Sequence, residues 1–314
     1  MTRMNRTTSL IRRFIFPALA LLILPNLGCV TQKSFASPED AAQSLITAAR
    51  AHDTKALEEI FGPGNDDLLY SGDPVDDVNT IDGFVSAYDE KHNLVSNDDG
   101  TITIVVGNDD WPMPIPITKN DSGKKWFFDT AVGKDEIITR RIGRNELTVI
   151  EICKAIGDAE REYAQRNPNH DDIPEYARKF ISDSGKTNGL YWPTAEGEEP
   201  SPLGEAVAGA QGEGYSAEPN KTGQPRPYHG YLCRILTRQG KDAPGGAEDY
   251  IVNGKFIGGF AVVAWPVDYG SSGITTFITS YTGDVYQKDL GDDTGKLARA
   301  MTEYNPDPSW KKAE

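Results

Sequence analysis

Histidine and cysteine are scarce in this chain, and the few present keep no spacing that chemistry would need. Four histidines and three cysteines are scattered over 314 residues. No G-x-S-x-G, H-E-x-x-H, Walker-type G-x-x-x-x-G-K-[ST] or C-x-x-C pattern occurs. That removes the hydrolases, zincins, phosphate-loop sites and dithiol centres built on those patterns. A basic balance is also missing, with 47 acidic against 32 basic residues and a net charge of -15 spread along the chain. Such a surface argues against nucleic acid or anionic lipid as a partner. Disorder is excluded too, because 38% hydrophobic content over this length can fill two modest cores.

A long apolar run is lacking as well. The run Phe14–Leu24, preceded by Arg3, Arg6, Arg12 and Arg13, is too short to span a bilayer comfortably and reads as a signal sequence. Two exits from it compete. In one, Leu27-Gly28-Cys29 is a lipoprotein box and Cys29 is lipidated, although Asn26 stands where such boxes carry Leu. In the other, Ser34-Phe35-Ala36 is a small-x-small site and the mature chain starts near Ser37. Either exit exports the folded part to the periplasm or to a lipid-anchored place on the cell envelope, with the membrane touched only through an N-terminal lipid. Cys153 and Cys233 then remain, as a staple between two elements or as two buried small hydrophobes.

Residues 1–36 are thus signal and tether, 37–143 a first α+β domain, and 144–314 a second. Ser37-Pro38-Glu39-Asp40 predicts a capped helix start, and Ala41, Ala42, Leu45, Ile46 and Ala49 continue at helical spacing. A second helix is predicted over Thr54–Phe61, and an amphipathic segment carries Ile81, Phe84, Val85 and Tyr88. Strands are predicted at Thr101–Val106, Pro112–Thr118 and Lys125–Asp129. Lys134–Gly143 reads as a short connecting helix. Arg144–Arg166 follows as a separate long helix, with Val149, Ile152, Ile156, Ala159 and Tyr163 as its stripe and Cys153 at the stripe's edge. The Gly- and Pro-rich stretch 182–227 is mostly loop, with helical turns near Pro174–Ile181 and Pro202–Ala210. The chain ends in strands at Gly230–Thr237, Phe256–Trp265, Ile274–Ser280 and Val285–Lys288, with tight turns at Asn253-Gly254 and Thr282-Gly283.

Several resemblances sharpen this reading. AAQSLITAARAHDTKALEEIFGP, followed by strands ending in KKWFFD, loosely resembles the NTF2-like (cystatin-like) domains, which host both enzymes and plain ligand pockets. RNELTVIEICKAIGDAEREYA and GGFAVVAWPVDYGSSGITTFITSYTGDVYQKDL resemble the helix and terminal sheet of pilin-like, pseudopilin soluble domains. The pilin transmembrane half-helix and prepilin cleavage site have no counterpart here, so the likeness does not imply fibre assembly. From about Ser37 onward the chain resembles DUF2950, an exported bacterial family defined as a domain of unknown function. SPEDAA, AYDEKH, DDWPMPIP, RRIGRNEL, GLYWP, SPLG, PYHGY, NGKFIGGFAVVAWP and VYQKDLG carry that likeness. It implies no particular chemistry.

The sharpest local constellation is Asn167, Asn169 and Asp171 at alternate positions with Glu175 four further on, in the manner of a compact calcium loop. Asn replaces Asp at two places and Asp172 stands at the glycine place, so a polar helix-exit loop is the competing reading. Calcium there would serve structure. Asp89 and His92 read as a solvated helix pair and His229, between Tyr228 and Tyr231, as a structural histidine. The pairs Asp66-Asp67, Asp76-Asp77 and Asp109-Asp110 read as surface charge, unless two met in a cleft. Trp111, Trp192 and Trp265, each beside Pro, form either a binding shelf or closures of core edges, the latter favoured for Trp265. No catalytic residue is assigned. The expectation is a non-catalytic envelope scaffold or interaction module. The alternative is a periplasmic small-ligand binder or hydrolase that uses the interior of the N-terminal domain.

Overall fold

The computed structural model describes residues 31–218 and 224–313, so the signal sequence and Cys29 lie outside the described residues. Thr31 to the C-terminus forms one compact unit, of the expected α+β class. Helices α1 (Pro38–Arg50), α2 (Thr54–Phe61) and α3 (Pro74–Glu90) come first. Ser37 caps α1 by accepting from the Asp40 N–H at 3.0 Å, with Pro38 opening the helix. Asp73 does the same for α3, accepting from Val75 and Asp76 ahead of the Pro74 turn.

Five strands follow: β1 (His92–Ser96), β2 (Ile102–Val106), β3 (Trp111–Pro112), β4 (Ile117–Lys119) and β5 (Trp126–Phe128). They form an antiparallel sheet of order β1-β2-β4-β5, with β3 also on β2. β1 falls where the sequence suggested the end of a helix. It is an edge strand, exposed along four of its five residues, so it carries no alternating apolar signal.

Helix α4 runs unbroken over Thr130–Arg166, 37 residues. This corrects the expected short connector over Lys134–Gly143 with a separate helix after it. Gly143 lies inside the helix; a lone helical glycine costs about 1 kcal/mol relative to alanine. Burial of Arg141, Ile142 and Asn145 around it overrides that cost. Gly133, one turn from the start, is where the helix touches the first sheet's chain most closely: a Cβ there would stand 2.2 Å from the Pro114 carbonyl oxygen. Asn167, in the left-handed conformation at φ 45°, ends the helix with its N–H on the Tyr163 carbonyl at 3.0 Å.

Beyond α5 (Gly204–Gly212) come β6 (Tyr231–Leu236), β7 (Arg238–Gln239), β8 (Glu248–Asp249), β9 (Ile251–Val252), β10 (Lys255–Phe256), β11 (Ala261–Pro266), β12 (Thr275–Ser280) and β13 (Val285–Asp289). Helix α6 (Thr294–Ala300) and β14 (Lys311–Lys312) complete the chain. The expected turn at Asn253-Gly254 joins β9 to β10 with both residues at positive φ. The expected strand Phe256–Trp265 is two strands. Gly258 and Gly259 interrupt it, and Gly259, at φ 145°, is pressed against the rings of Tyr250 and Tyr281. The expected helical turn at Pro174–Ile181 is extended chain instead, because its backbone is tied to Phe256, Leu190 and Tyr191.

The main sheet has the order β14-β13-β12-β11-β6, all antiparallel. β11 is buried along its whole length. Its residues alternate between two cores, Val262 and Ala264 toward the α4 side and Ala261, Val263 and Trp265 toward the α6 side. The stripe Val149, Ile152, Ile156, Ala159 and Tyr163 faces this sheet as expected, with Cys153 fully enclosed beside it. A separate cluster, with Leu45, Ile46, Leu57, Ile60, Ile115 and Phe128 at its centre, joins α1–α3 to the first sheet.

Candidate functional site

The N-terminal cluster does not close completely. The apolar faces of α1, α2 and α3 converge on Met113 and Ile115 beside the first sheet and leave a cavity of about 250 Å³. Leu45, Leu57, Phe61 and Ile115 make its buried floor. Thr80 and Phe84 from α3, Trp111 from β3, and Arg140, Arg141 and Arg144 from α4 complete the lining, Arg141 buried and Thr80, Trp111, Arg140 and Arg144 exposed. Among the described residues its lining contains those three arginines and no Asp or Glu. A second cavity along α3, of about 410 Å³, shares Thr80, Phe84, Trp111 and Arg144 with the first, which makes these four residues the doorway between them.

The arginines differ in how they are held. Arg141 is buried and acts as a clamp: Nη1 donates to the Asp67 carbonyl at 2.9 Å and to Ser271 Oγ at 3.3 Å, and Nη2 to the Leu68 carbonyl at 2.6 Å. Its burial lowers its pKa. Arg140 lies 5.6 Å over the Trp111 ring, while its Nε donates to Glu136 at 2.7 Å. Arg144 is about half exposed and stands 3.7 Å from the Asp76 carboxylate. That is too far for a hydrogen bond.

A polar seam runs beside this cavity. The buried Asp73 carboxylate accepts from Val75 and Asp76 through Oδ1 and from the Tyr215 hydroxyl (3.1 Å) and Gly230 N–H (2.9 Å) through Oδ2. Burial raises the pKa of Asp77 despite the Ser71 N–H on its carboxylate. Asn145 donates to the Ser272 carbonyl at 3.0 Å.

The residues singled out in the sequence are placed as follows. The Asn167 amide is committed within its own loop, donating to the Asp171 carbonyl and accepting from the Asp171 N–H. Asn169 donates to the Tyr163 hydroxyl and accepts from Thr187. Glu175 accepts from Arg178 and the Phe256 N–H. Three of the four candidate ligands thus take part in protein hydrogen bonds, and no cluster of three or more His, Cys, Asp or Glu fit for a metal lies among the described residues. His92 is on β1, stacked on Tyr88 at 3.8 Å, away from the cavity lining. Asp89 pairs with Arg50 instead of His92. His229 lies 3.1 Å from Glu213 and packs on Tyr215 and Tyr228. Asp109-Asp110 lies on the surface, Asp110 binding Lys91 at 2.7 Å, but Asp76 is buried and, with Asp77 and the Lys134-bound Asp67 (2.6 Å), acts on the buried Arg141, so two of the pairs converge there. Trp192 packs edge-on to Tyr163 and Trp265 is enclosed in the α6-side core, whereas Trp111 borders the cavity. Cys153 and Cys233 are both unbonded, and burial pushes Cys153 well up and Cys233 to about 12. Neither is therefore a nucleophile near neutral pH.

One residue that no sequence motif isolated is Glu160. It is fully buried, Oε2 accepts from the Ala177 N–H at 2.8 Å, and Oε1 has no hydrogen-bond partner among the described residues. Burial pushes its carboxyl up to about 8. Its position, four after Ile156 and three before Tyr163, is on the apolar stripe, and that placement was the available signal.

No curated protein and no solved structure matches the chain. The NTF2-like and pilin-like likenesses are accordingly carried by residue patterns alone. A family model described as "Protein of unknown function (DUF2950)" matches residues 32–313, from the start of the described fold to its last strand. The chain belongs to the DUF2950 family.

Proposed function

We propose that the protein is a non-catalytic binding module that holds a small, largely apolar ligand in the cavity enclosed by α1, α2, α3 and the front of α4. The observation that carries this reading is the unfilled apolar space with a charged and aromatic doorway at one end. Its volume equals about eight liquid-water molecules at ~30 Å³ each, and lies just below the ~300–1,000 Å³ of drug-sized sites. An eight-carbon chain is thus a suitable probe. Titration of the purified protein with octan-1-ol, followed by tryptophan fluorescence and calorimetry, is expected to give saturable binding near one per chain. Thr80→Trp, an exposed doorway position, is expected to abolish it without loss of the melting transition. Absence of saturable binding by neutral, anionic and cationic eight-carbon probes alike would remove the reading.

We further infer that the module works after export, as a lipid-anchored protein of the envelope. The Arg-flanked apolar run supports export, and the fold bears on which exit is used. Phe35 is 5% exposed and exchanges both backbone hydrogen bonds with Trp126. Gln32 Nε2 donates to the carbonyls of Ile60 (3.1 Å) and Phe128 (2.6 Å). Cutting near Ser37 would strip these contacts, whereas cutting before Cys29 keeps them. Intact mass of the mature protein is expected to show a chain beginning at Cys29 and carrying acyl groups. A mature N-terminus at Ser37 would exclude the lipid anchor.

A further inference from the structure

The doorway's charge points to the class of ligand, on the assumption that the cavity binds a ligand as proposed above. In a chain of net charge -15, the cavity lining has three arginines and no acid. Arg141 is spent on the carbonyls of Asp67 and Leu68, so it holds the wall. Arg144 is different: it is half exposed, borders both cavities, and its one ion-pair partner among the described residues, Asp76, stands beyond hydrogen-bond distance at 3.7 Å. Arg140 lies 5.6 Å over the Trp111 ring of the same lining, and Glu136 takes its Nε, so its terminal amino groups are the donors it can offer a ligand. A guanidinium at the mouth of an apolar chamber fits a planar carboxylate or a phosphate at the end of an apolar chain, because it can donate two parallel N–H bonds to the oxygens. We infer that the ligand is an anionic amphiphile, its apolar body over Leu57, Phe61 and Ile115 and its acidic head between Arg144 and Arg140 beside Trp111.

The opposing charges are Glu136, bound to Arg140, Asp76, buried beneath Arg144, and Asp77 and Asp67, which act on Arg141 in the wall. Asp76 Oδ2 has no hydrogen-bond partner among the described residues, so an ammonium head is the rival that the experiment must separate. The test compares octanoate, octan-1-ol and octylamine on the same purified protein by calorimetry at low salt. Octanoate is expected to bind about tenfold or more tighter than the alcohol, the worth of a charge-assisted hydrogen bond, with the advantage shrinking as salt rises. Arg144→Gln and Arg140→Gln together are expected to bring octanoate down to the alcohol's affinity and to leave the alcohol unchanged. Arg144→Gln removes the charge beside buried Asp76, so the unchanged alcohol affinity and a retained melting transition serve as the check that the variants keep the fold. Equal binding of alcohol and acid, or tightest binding of the amine, overturns the anionic assignment and leaves the cavity reading intact. Failure of all three removes both. Octyl phosphate, run beside octanoate, separates a carboxylate from a phosphate head by which of the two binds tighter.

Discussion

Adding base is expected to destabilise this protein progressively from about pH 4.5 to about pH 8, the interval between the ordinary and the folded-state pKa of Glu160. The sign follows from proton counting. The folded state holds the Glu160 proton up to about pH 8 while the unfolded chain releases it near 4.5, so the unfolded form binds fewer protons throughout that window and gains as pH rises. Below the window both states are protonated and the residue contributes nothing; above it both are ionised and the whole cost of the buried charge is felt. At ~1.36 kcal/mol per pKa unit, the cost is on the order of 5 kcal/mol as an upper bound. Urea unfolding of the wild type and Glu160→Gln at acid, neutral and alkaline pH isolates the effect, since other titrating groups such as Asp77 cancel in the difference. The glutamine variant is expected to be the more stable one at alkaline pH and to match the wild type at acid pH. Parallel pH profiles for the two proteins would show that Glu160 is ionised in the fold.

Asp73→Ala is expected to cost about 3–5 kcal/mol, the range for removing one partner from a buried charged network. Losing the cap of α3 alone accounts for about 1 kcal/mol. The remainder comes from the Gly230 N–H and the Tyr215 hydroxyl, which share Oδ2 and would be left buried without an acceptor. Those donors lie 157 and 142 residues further along the chain, so the variant tests whether the carboxylate joins distant segments or merely starts a helix. Denaturant unfolding of Asp73→Ala and of Asp73→Ser, which keeps a cap oxygen but not the reach, separates the two. If serine restores most of the stability, the long-range bonds count for little.

Local chemistry was well written in the sequence. Ser37-Pro38 gives the capped start of α1, Asn253-Gly254 gives the β9–β10 turn with both residues at positive φ, and the 3-4 stripe from Val149 to Tyr163 finds the main sheet. Misreadings arose where tertiary contacts overrode a local signal. Gly143 looked like a helix end, yet the buried flanks Arg141, Ile142 and Asn145 carry α4 through it. β1 turns only Leu94 toward the core and so shows no period. The cavity was legible only as a general expectation of an N-terminal interior, because its walls come from separate stretches between Leu45 and Arg144. RRIGRNEL reads as a family motif, while the folding of α4 divides its arginines: Arg141 into the wall, Arg144 to the doorway and Arg140 beside it over Trp111.

The unbroken course of α4 also bears on how such a chain could be assembled by recombination. Its front turns wall the cavity and its later turns carry the main sheet. Division between residues 143 and 144 would therefore cut a helix mid-length, expose new unbonded carbonyls on one piece and N–H groups on the other, and separate Arg141 from Ser271. The two parts of the described fold thus share one helix as a common structural member.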